Sequence, residues 1–66
     1  MKVEVNGEER ELARGTTVAA LLRSLGLTPA QAAVERNGRL VPRAEHERTL
    51  LEAGDRIEVV TLVGGG

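Results

Sequence analysis

One stretch of the chain has the apolar periodicity of a surface helix, and this feature limits the possible folds more than any other. Four apolar residues recur at positions i, i+3, i+4 and i+7: Val18, Leu21, Leu22 and Leu25. This spacing places them on one face of an α-helix. Thr16 or Thr17 can cap the first turn, and Gly26 supplies a left-handed residue at the other end. We therefore expect one main helix that begins at Thr16 or Thr17 and ends near Gly26.

The segment before the helix predicts a hairpin. Residues 2–6 alternate charged and apolar side chains, which is the period of a strand with one buried face. Asn6-Gly7 suits a two-residue turn because both of its central positions require a positive φ. Residues 8–12 would form the returning strand, and its many charged side chains favour an edge position.

Three further strands are predicted after the helix, at residues 33–36, 40–41 and 56–63. Asn37-Gly38 marks a second tight turn between the first two of them. Residues 44–51 predict a helical turn or an irregular crossing, which would place Leu50 or Leu51 in the core.

The resulting order of strand, strand, helix, strand, strand, strand predicts the α+β fold class. One helix on one face of a mixed sheet is the smallest two-layer arrangement that closes a core. The ubiquitin-like β-grasp fold fits this order best, with four or five strands and one main helix packed on one face. We expect this domain to span residues 1–63.

Length and composition argue against a catalytic function of the chain itself. Sixty-six residues bury too little surface for a deep catalytic pocket, so we do not expect an enzyme. The chain has no cysteine and no aromatic residue, so its core depends on aliphatic packing without disulfides or thiolate metal sites. The formal net charge is -1 with both signs interspersed, which disfavours nucleic-acid binding.

Nothing in the sequence points to a membrane. No apolar run approaches the roughly 20 residues that span a bilayer. The first residues also lack the basic and apolar regions of a signal peptide. We therefore expect a cytoplasmic protein.

Three consecutive glycines follow the last predicted strand: Gly64, Gly65 and Gly66. Glycine reaches backbone angles closed to other residues and presents no side chain. Such a segment predicts a flexible tail, thin enough to enter a narrow channel in another protein. A frayed terminus or a linker left by cloning would have the same composition, and the glycines alone do not decide between these interpretations.

Further motifs favour a functional tail. They are Val3, Val5 and Asn6; Gly15-Thr16-Thr17-Val18 with Leu21-Leu22; residues 37–43 (NGRLVPR); Gly54-Asp55-Arg56-Ile57; and Gly65-Gly66. In these motifs, and over essentially its full length, the chain resembles the ThiS family of sulfur carriers in the thiamine pathway. The Val-Pro-Arg run at this distance from a terminal Gly-Gly is the most specific of them.

The resemblance implies that the working group is the C-terminal carboxylate of Gly66. An E1-like adenylating enzyme of ThiF type would use MgATP to convert this carboxylate into an acyl-adenylate. Sulfur relayed as a persulfide from a cysteine desulfurase would then replace AMP and give a thiocarboxylate. The expected sulfur acceptor is a thiazole synthase of ThiG type. The chain would bind no cofactor or metal itself, and Gly64 and Gly65 would carry Gly66 into the partner active sites.

Two apolar residues near the tail are candidates for partner docking. Val60 and Leu62 alternate out of phase with Ile57 and Val59, so we expect them on the sheet face opposite the helix. Exposed apolar side chains beside a functional tail favour a docking surface. The alternative is that loops of the same domain cover them.

The other charged residues carry no predicted site. Arg36, Arg39 and Arg43 are expected on a solvated face, and the alternative is that they steer an acidic partner surface. His46 is the only histidine and has no evident set of metal ligands around it, so we expect it on the surface.

The same fold and tail are compatible with other functions. A sulfur carrier for molybdopterin synthesis or for transfer-RNA thiolation would need the same features. A protein-conjugating modifier would also activate Gly66, but would acylate a lysine instead of accepting sulfur. A β-grasp binding module with an incidental glycine tail would need no adenylating partner.

Overall fold

The computed structural model describes residues 1–62, and within them the predicted order of elements is confirmed. Strands β1 (Lys2–Val5) and β2 (Glu8–Glu11) form the first hairpin. Asn6 and Gly7 connect them with φ of 50° and 83°, the left-handed backbone that a two-residue hairpin turn requires. All four residues of β2 are exposed, as expected of an edge strand.

Helix α1 spans Val18–Ser24, and Thr17 rather than Thr16 is its cap. The Thr17 hydroxyl oxygen accepts a hydrogen bond from the Ala20 amide at 3.1 Å, which satisfies one of the first-turn amides. The Thr16 hydroxyl instead donates to a carbonyl in the preceding loop.

The end of α1 is fixed by Gly26, which has a φ of 78°. The Leu27 amide donates back to the Leu22 carbonyl at 2.9 Å, which is the hydrogen bond of a Schellman cap. Three members of the predicted stripe are fully buried: Val18, Leu21 and Leu22. The fourth, Leu25, is only partly buried and packs against the edge of the core, because it lies at the cap beyond the last helical residue.

The sheet has the strand order β2-β1-β5-β3-β4, where β3 is Ala32–Arg36, β4 is Arg39–Val41 and β5 is Arg56–Thr61. The central strand β5 runs parallel to β1 and antiparallel to β3. The helix packs on one face, which confirms the predicted mixed sheet of an α+β domain. We call the opposite face, which carries no helix, the outer face.

Two asparagine side chains connect the hairpin turns to β5. The Asn6 side-chain amide donates to the Val59 carbonyl at 3.2 Å and accepts from the Val59 amide at 2.7 Å. The Asn37 side chain accepts from the Arg56 amide at 2.9 Å. Asn6 lies just beyond the end of β1, and Asn37 lies just beyond the end of β3. Their side chains therefore continue the hydrogen bonding to β5 where the two neighbouring strands stop, one on each side of β5.

The core is aliphatic, as the composition requires. Its buried members are Val3, Val5, Val18, Leu21, Leu22, Ala32, Val34, Val41, Leu51, Ile57 and Val59. Of the two leucines that the sequence left open, Leu51 is buried and Leu50 is exposed.

The prediction of a surface position for His46 is wrong, since this side chain is 2% exposed. A short 3-10 helix, Arg43–Glu45, carries it inward. Its Nε2 donates to the Val41 carbonyl at 3.1 Å, and its buried Nδ1 has no hydrogen-bond partner within residues 1–62. The His46 carbonyl also accepts from the Ala19 amide at 2.9 Å, so the segment docks onto the start of α1.

Candidate docking surface and glycine tail

The end of β5 presents apolar side chains on the outer face. Ile57 and Val59 are buried beneath the helix, whereas Val60 is 60% exposed and Leu62 is 50% exposed. No loop within the described part of the chain buries Val60 or Leu62 as deeply as a core side chain. Their position is the one that the alternation predicts, and their role in docking stays a prediction.

Leu40 belongs to the same surface, although it is not among the docking residues predicted from the sequence. It is 66% exposed and lies opposite Glu35, while Ala33 lies opposite Val60. Leu40 and Leu62 line one shallow depression. We refer to Leu40, Val60, Leu62 and the half-buried Ala33 as the apolar patch. A local signal for Leu40 exists, because the two-residue turn at 37–38 fixes the register of β4 on β3.

The backbone beside the patch is hydrogen-bonded up to the last described residue. Thr61 pairs with Ala32 across the β5–β3 ladder, and the Leu62 amide donates to the Gln31 carbonyl at 2.8 Å. The predicted tail residues, Gly64, Gly65 and Gly66, lie outside the described residues. Their roles therefore stay predictions.

The most buried carboxylate lies at the opposite end of β5. Asp55 is 6% exposed, and its Oδ2 accepts from Arg36 Nε and from the Glu52 amide, each at 2.8 Å. Its Oδ1 accepts from Asn37 Nδ2 at 3.1 Å. Burial by itself raises the pKa of Asp55, but the hydrogen bonds from Glu52, Arg36 and Asn37 outweigh it, so the pKa lies below its ordinary value.

This cluster corrects the expectation that Arg36 belongs to a solvated face. Arg36 also contacts Glu52 at 3.1 Å, and its hydrogen bond to Asp55 raises the pKa of the guanidinium. Arg39 and Arg43 are exposed as expected. Because both oxygens of Asp55 are occupied within the chain, the cluster supports the fold and offers no free acid or base.

The described residues provide neither a metal site nor a membrane segment. Across residues 1–62, no group of three or more His, Asp or Glu side chains is arranged to hold a metal ion. No helix in this part of the chain is long and apolar enough to cross a membrane.

The geometry of residues 1–62 defines a small ubiquitin-like β-grasp protein with an open outer face. A model of the ThiS family matches residues 3–66. The chain therefore belongs to the ThiS family.

Two relatives match this chain over their full lengths. The sulfur carrier protein ThiS of Escherichia coli is 32% identical over 66 residues, and the alignment covers 100% of both chains. The crystal structure of the thiamine biosynthesis protein ThiS from Geobacter metallireducens has a TM-score of 0.82 and 32% identity, again with 100% of both chains covered. The β-grasp prediction is confirmed by this structure.

A third relative is larger. The thiazole synthase of Paramagnetospirillum magneticum is 42% identical over 66 residues, which cover all of this chain and 20% of the relative. The chain thus spans about one fifth of that protein's length.

Proposed function

We propose that this chain carries sulfur as a thiocarboxylate on Gly66 and delivers it for thiazole formation in thiamine biosynthesis. The observation that carries the proposal is the position of the apolar patch in a member of the ThiS family. Leu62, at one end of the patch, precedes Gly66 by four residues. The chain itself acts as a protein co-substrate and not as an enzyme.

The length of this connection limits where a partner can bind. Four residues reach at most about 14 Å, even when fully extended. A partner whose active site receives Gly66 must therefore lie close to Leu62 and cover the neighbouring outer face. This supports the assignment of Val60 and Leu62 to a docking surface.

Activation begins at the Gly66 carboxylate, which is a poor electrophile. In the proposed step, a carboxylate oxygen attacks the α-phosphorus of MgATP in an adenylating enzyme of ThiF type. Pyrophosphate leaves, and the product is an acyl-adenylate. Gly64 and Gly65 present no side chain, so the segment can enter a channel that would exclude other residues.

Sulfur transfer follows on the same carbon. A persulfide sulfur, supplied through a cysteine desulfurase, attacks the acyl carbon and releases AMP. A thiol on the enzyme side then cleaves the sulfur–sulfur bond, which leaves a thiocarboxylate on Gly66 and a disulfide on the enzyme side. Because the first step consumes ATP, we expect the cycle to run in the cytoplasm.

We propose a thiazole synthase as the sulfur acceptor. The larger relative supports this choice, because a segment similar to this chain is part of a thiazole synthase there. The fold supplies binding and position, while the reactivity belongs to the carried sulfur.

The proposal is tested by ATP–pyrophosphate exchange with the cognate adenylating enzyme, using Gly65→Val and a deletion of Gly66. The valine restricts the backbone and widens the segment. The deletion withdraws the carboxylate by about 3.5 Å. We expect either change to lower exchange by roughly a hundredfold or more, because misplacement of a reacting group is that costly.

A matched control is Ala53→Val, which adds a branched side chain at an exposed position. Ala53 lies before the first residue of β5, at the opposite end of this strand from Leu62. It should support exchange like the parent, because exposed substitutions away from a site have small effects. Near-parental exchange by both tail variants would contradict the proposed function.

A further inference from the structure

Two glutamates face each other next to the apolar patch. Glu35 of β3 and Glu58 of β5 are directly opposite in the antiparallel ladder, two pairs along from Ala33 and Val60 and therefore on the same face. Both are exposed on the outer face. Like charges in this position destabilise a sheet.

The described residues do not compensate this repulsion. Neither Glu35 nor Glu58 takes part in an ion pair within residues 1–62. The nearest basic residue along β5 on this face is Arg56, two residues before Glu58, and Arg56 lies opposite Glu4 of β1. On its other side Glu35 faces Leu40, a member of the apolar patch. The two carboxylates and the patch therefore form one continuous surface.

We infer that the Glu35–Glu58 pair is a recognition element, and that the partner covering the apolar patch places a lysine or arginine against these two carboxylates. An apolar patch alone accepts many apolar surfaces, whereas a fixed charge next to it selects among them and accelerates encounter. A cation from the partner also removes the repulsion that the free chain retains. The inferred partner surface is thus an apolar side chain bordered by basic residues. This inference rests on the proposed function.

The test measures the carrier's apparent KM and kcat in pyrophosphate exchange with the adenylating enzyme, at low and at high NaCl. The double variant Glu35→Gln/Glu58→Gln should raise KM by about tenfold at low salt and leave kcat unchanged. The difference should shrink at high salt, because salt screens exposed charges. Glu4→Gln is the matched control, since it removes a charge from the same face away from the patch, and its KM should equal that of the parent.

A second variant separates recognition from stability. Glu58→Lys creates an attractive pair with Glu35 inside the chain and a repulsive one with the partner's cation. We expect it to melt at or above the parental temperature in circular dichroism, yet to raise KM further than the double variant does.

Two outcomes would overturn the inference in distinguishable ways. If the parent supports exchange but the double variant keeps the parental KM and salt dependence, the recognition role fails while the proposed function stands. If the parent supports no exchange at all, the proposed function fails and the inference falls with it.

Discussion

Asp55 joins three segments of the chain through a single carboxylate. It accepts hydrogen bonds from Arg36 at the end of β3, from Asn37 in the second hairpin turn and from the Glu52 amide in the loop before β5. The carboxylate is almost fully buried, so these bonds are little weakened by solvent. At the scale of single residues, this cluster fixes the start of the central strand.

The lowered pKa of Asp55 predicts how stability depends on pH. In the unfolded chain the Asp55 carboxyl binds a proton below about pH 4, whereas in the folded chain it stays ionised to a lower pH. The ionised carboxylate therefore stabilises the fold above the ordinary pKa, and this stabilisation is lost as the pH falls through the lower, folded-state pKa. Asp55→Asn should reduce the free energy of unfolding at pH 7 by about 1 to 3 kcal/mol.

The measurement is urea unfolding at several pH values, followed by circular dichroism because the chain has no aromatic residue for fluorescence. The unfolded chain takes up the Asp55 proton at roughly pH 5 to pH 3, around the ordinary pKa of an aspartate. Across this range the free energy of unfolding should fall more in the parent than in the variant. Parallel losses in the two proteins would contradict the role assigned to Asp55.

Residue-level predictions from the sequence succeeded where the signal is local and failed where it is not. Thr17, Gly26 and the apolar stripe of the helix follow from spacing within a few positions. His46 is buried because an irregular segment folds against the start of α1, and a lone histidine has no periodicity that would reveal this. The partner of Arg36 is likewise 19 positions away.

At the scale of elements, the two Asn-Gly turns determine the register of the hairpins. A two-residue turn leaves one possible pairing of the flanking strands, and a shift by one residue would move every side chain to the other face. The Asn6 side chain adds a second constraint through its hydrogen bonds to both backbone groups of Val59. The first hairpin is thereby joined to the central strand.

Asn6→Gly separates this side-chain contribution from the backbone geometry of the turn. Glycine adopts the positive φ of this position without strain, so the variant loses mainly the two hydrogen bonds to Val59. We expect the free energy of unfolding to fall by about 1 to 3 kcal/mol, measured by urea unfolding.

Ala13→Gly is the control, because it adds the same freedom to the unfolded chain at an exposed loop position whose side chain makes no hydrogen bond. Its cost should stay near 0.4 to 1 kcal/mol, roughly the effect of chain entropy alone. Equal losses in the two variants would show that the Asn6 side chain contributes nothing.

The elements themselves could be predicted because each carries a local pattern: alternation for the strands, the i, i+3, i+4 spacing for the helix, and turn residues between them. Which of Leu50 and Leu51 enters the core could not be predicted, since this depends on how residues 44–51 pack against α1. The turn at 37–38 sets Leu40 opposite Glu35, but its place in the apolar patch depends also on the pairing of β3 with β5, which brings Val60 opposite Ala33.

At the scale of the whole molecule, the fold divides the sheet into two faces with different tasks. The helix covers one face and closes the aliphatic core. The outer face stays open and carries the apolar patch at the end of β5 that leads towards the glycines. In the proposed function this division leaves all catalysis to the partners, and the chain contributes a surface to bind and a terminal group to modify.

Sulfur on Gly66 is detected by intact-protein mass spectrometry of the protein isolated from its native cells, with fragmentation to locate any modification. We expect a species heavier than the parent by the exchange of one oxygen atom for sulfur, with the added mass on the last residue. A matched preparation of the Gly66 deletion variant should lack this species. A parent that shows only the unmodified mass under conditions of active thiamine synthesis, or that carries the added sulfur elsewhere in the chain, would rule out Gly66 as the sulfur-carrying residue.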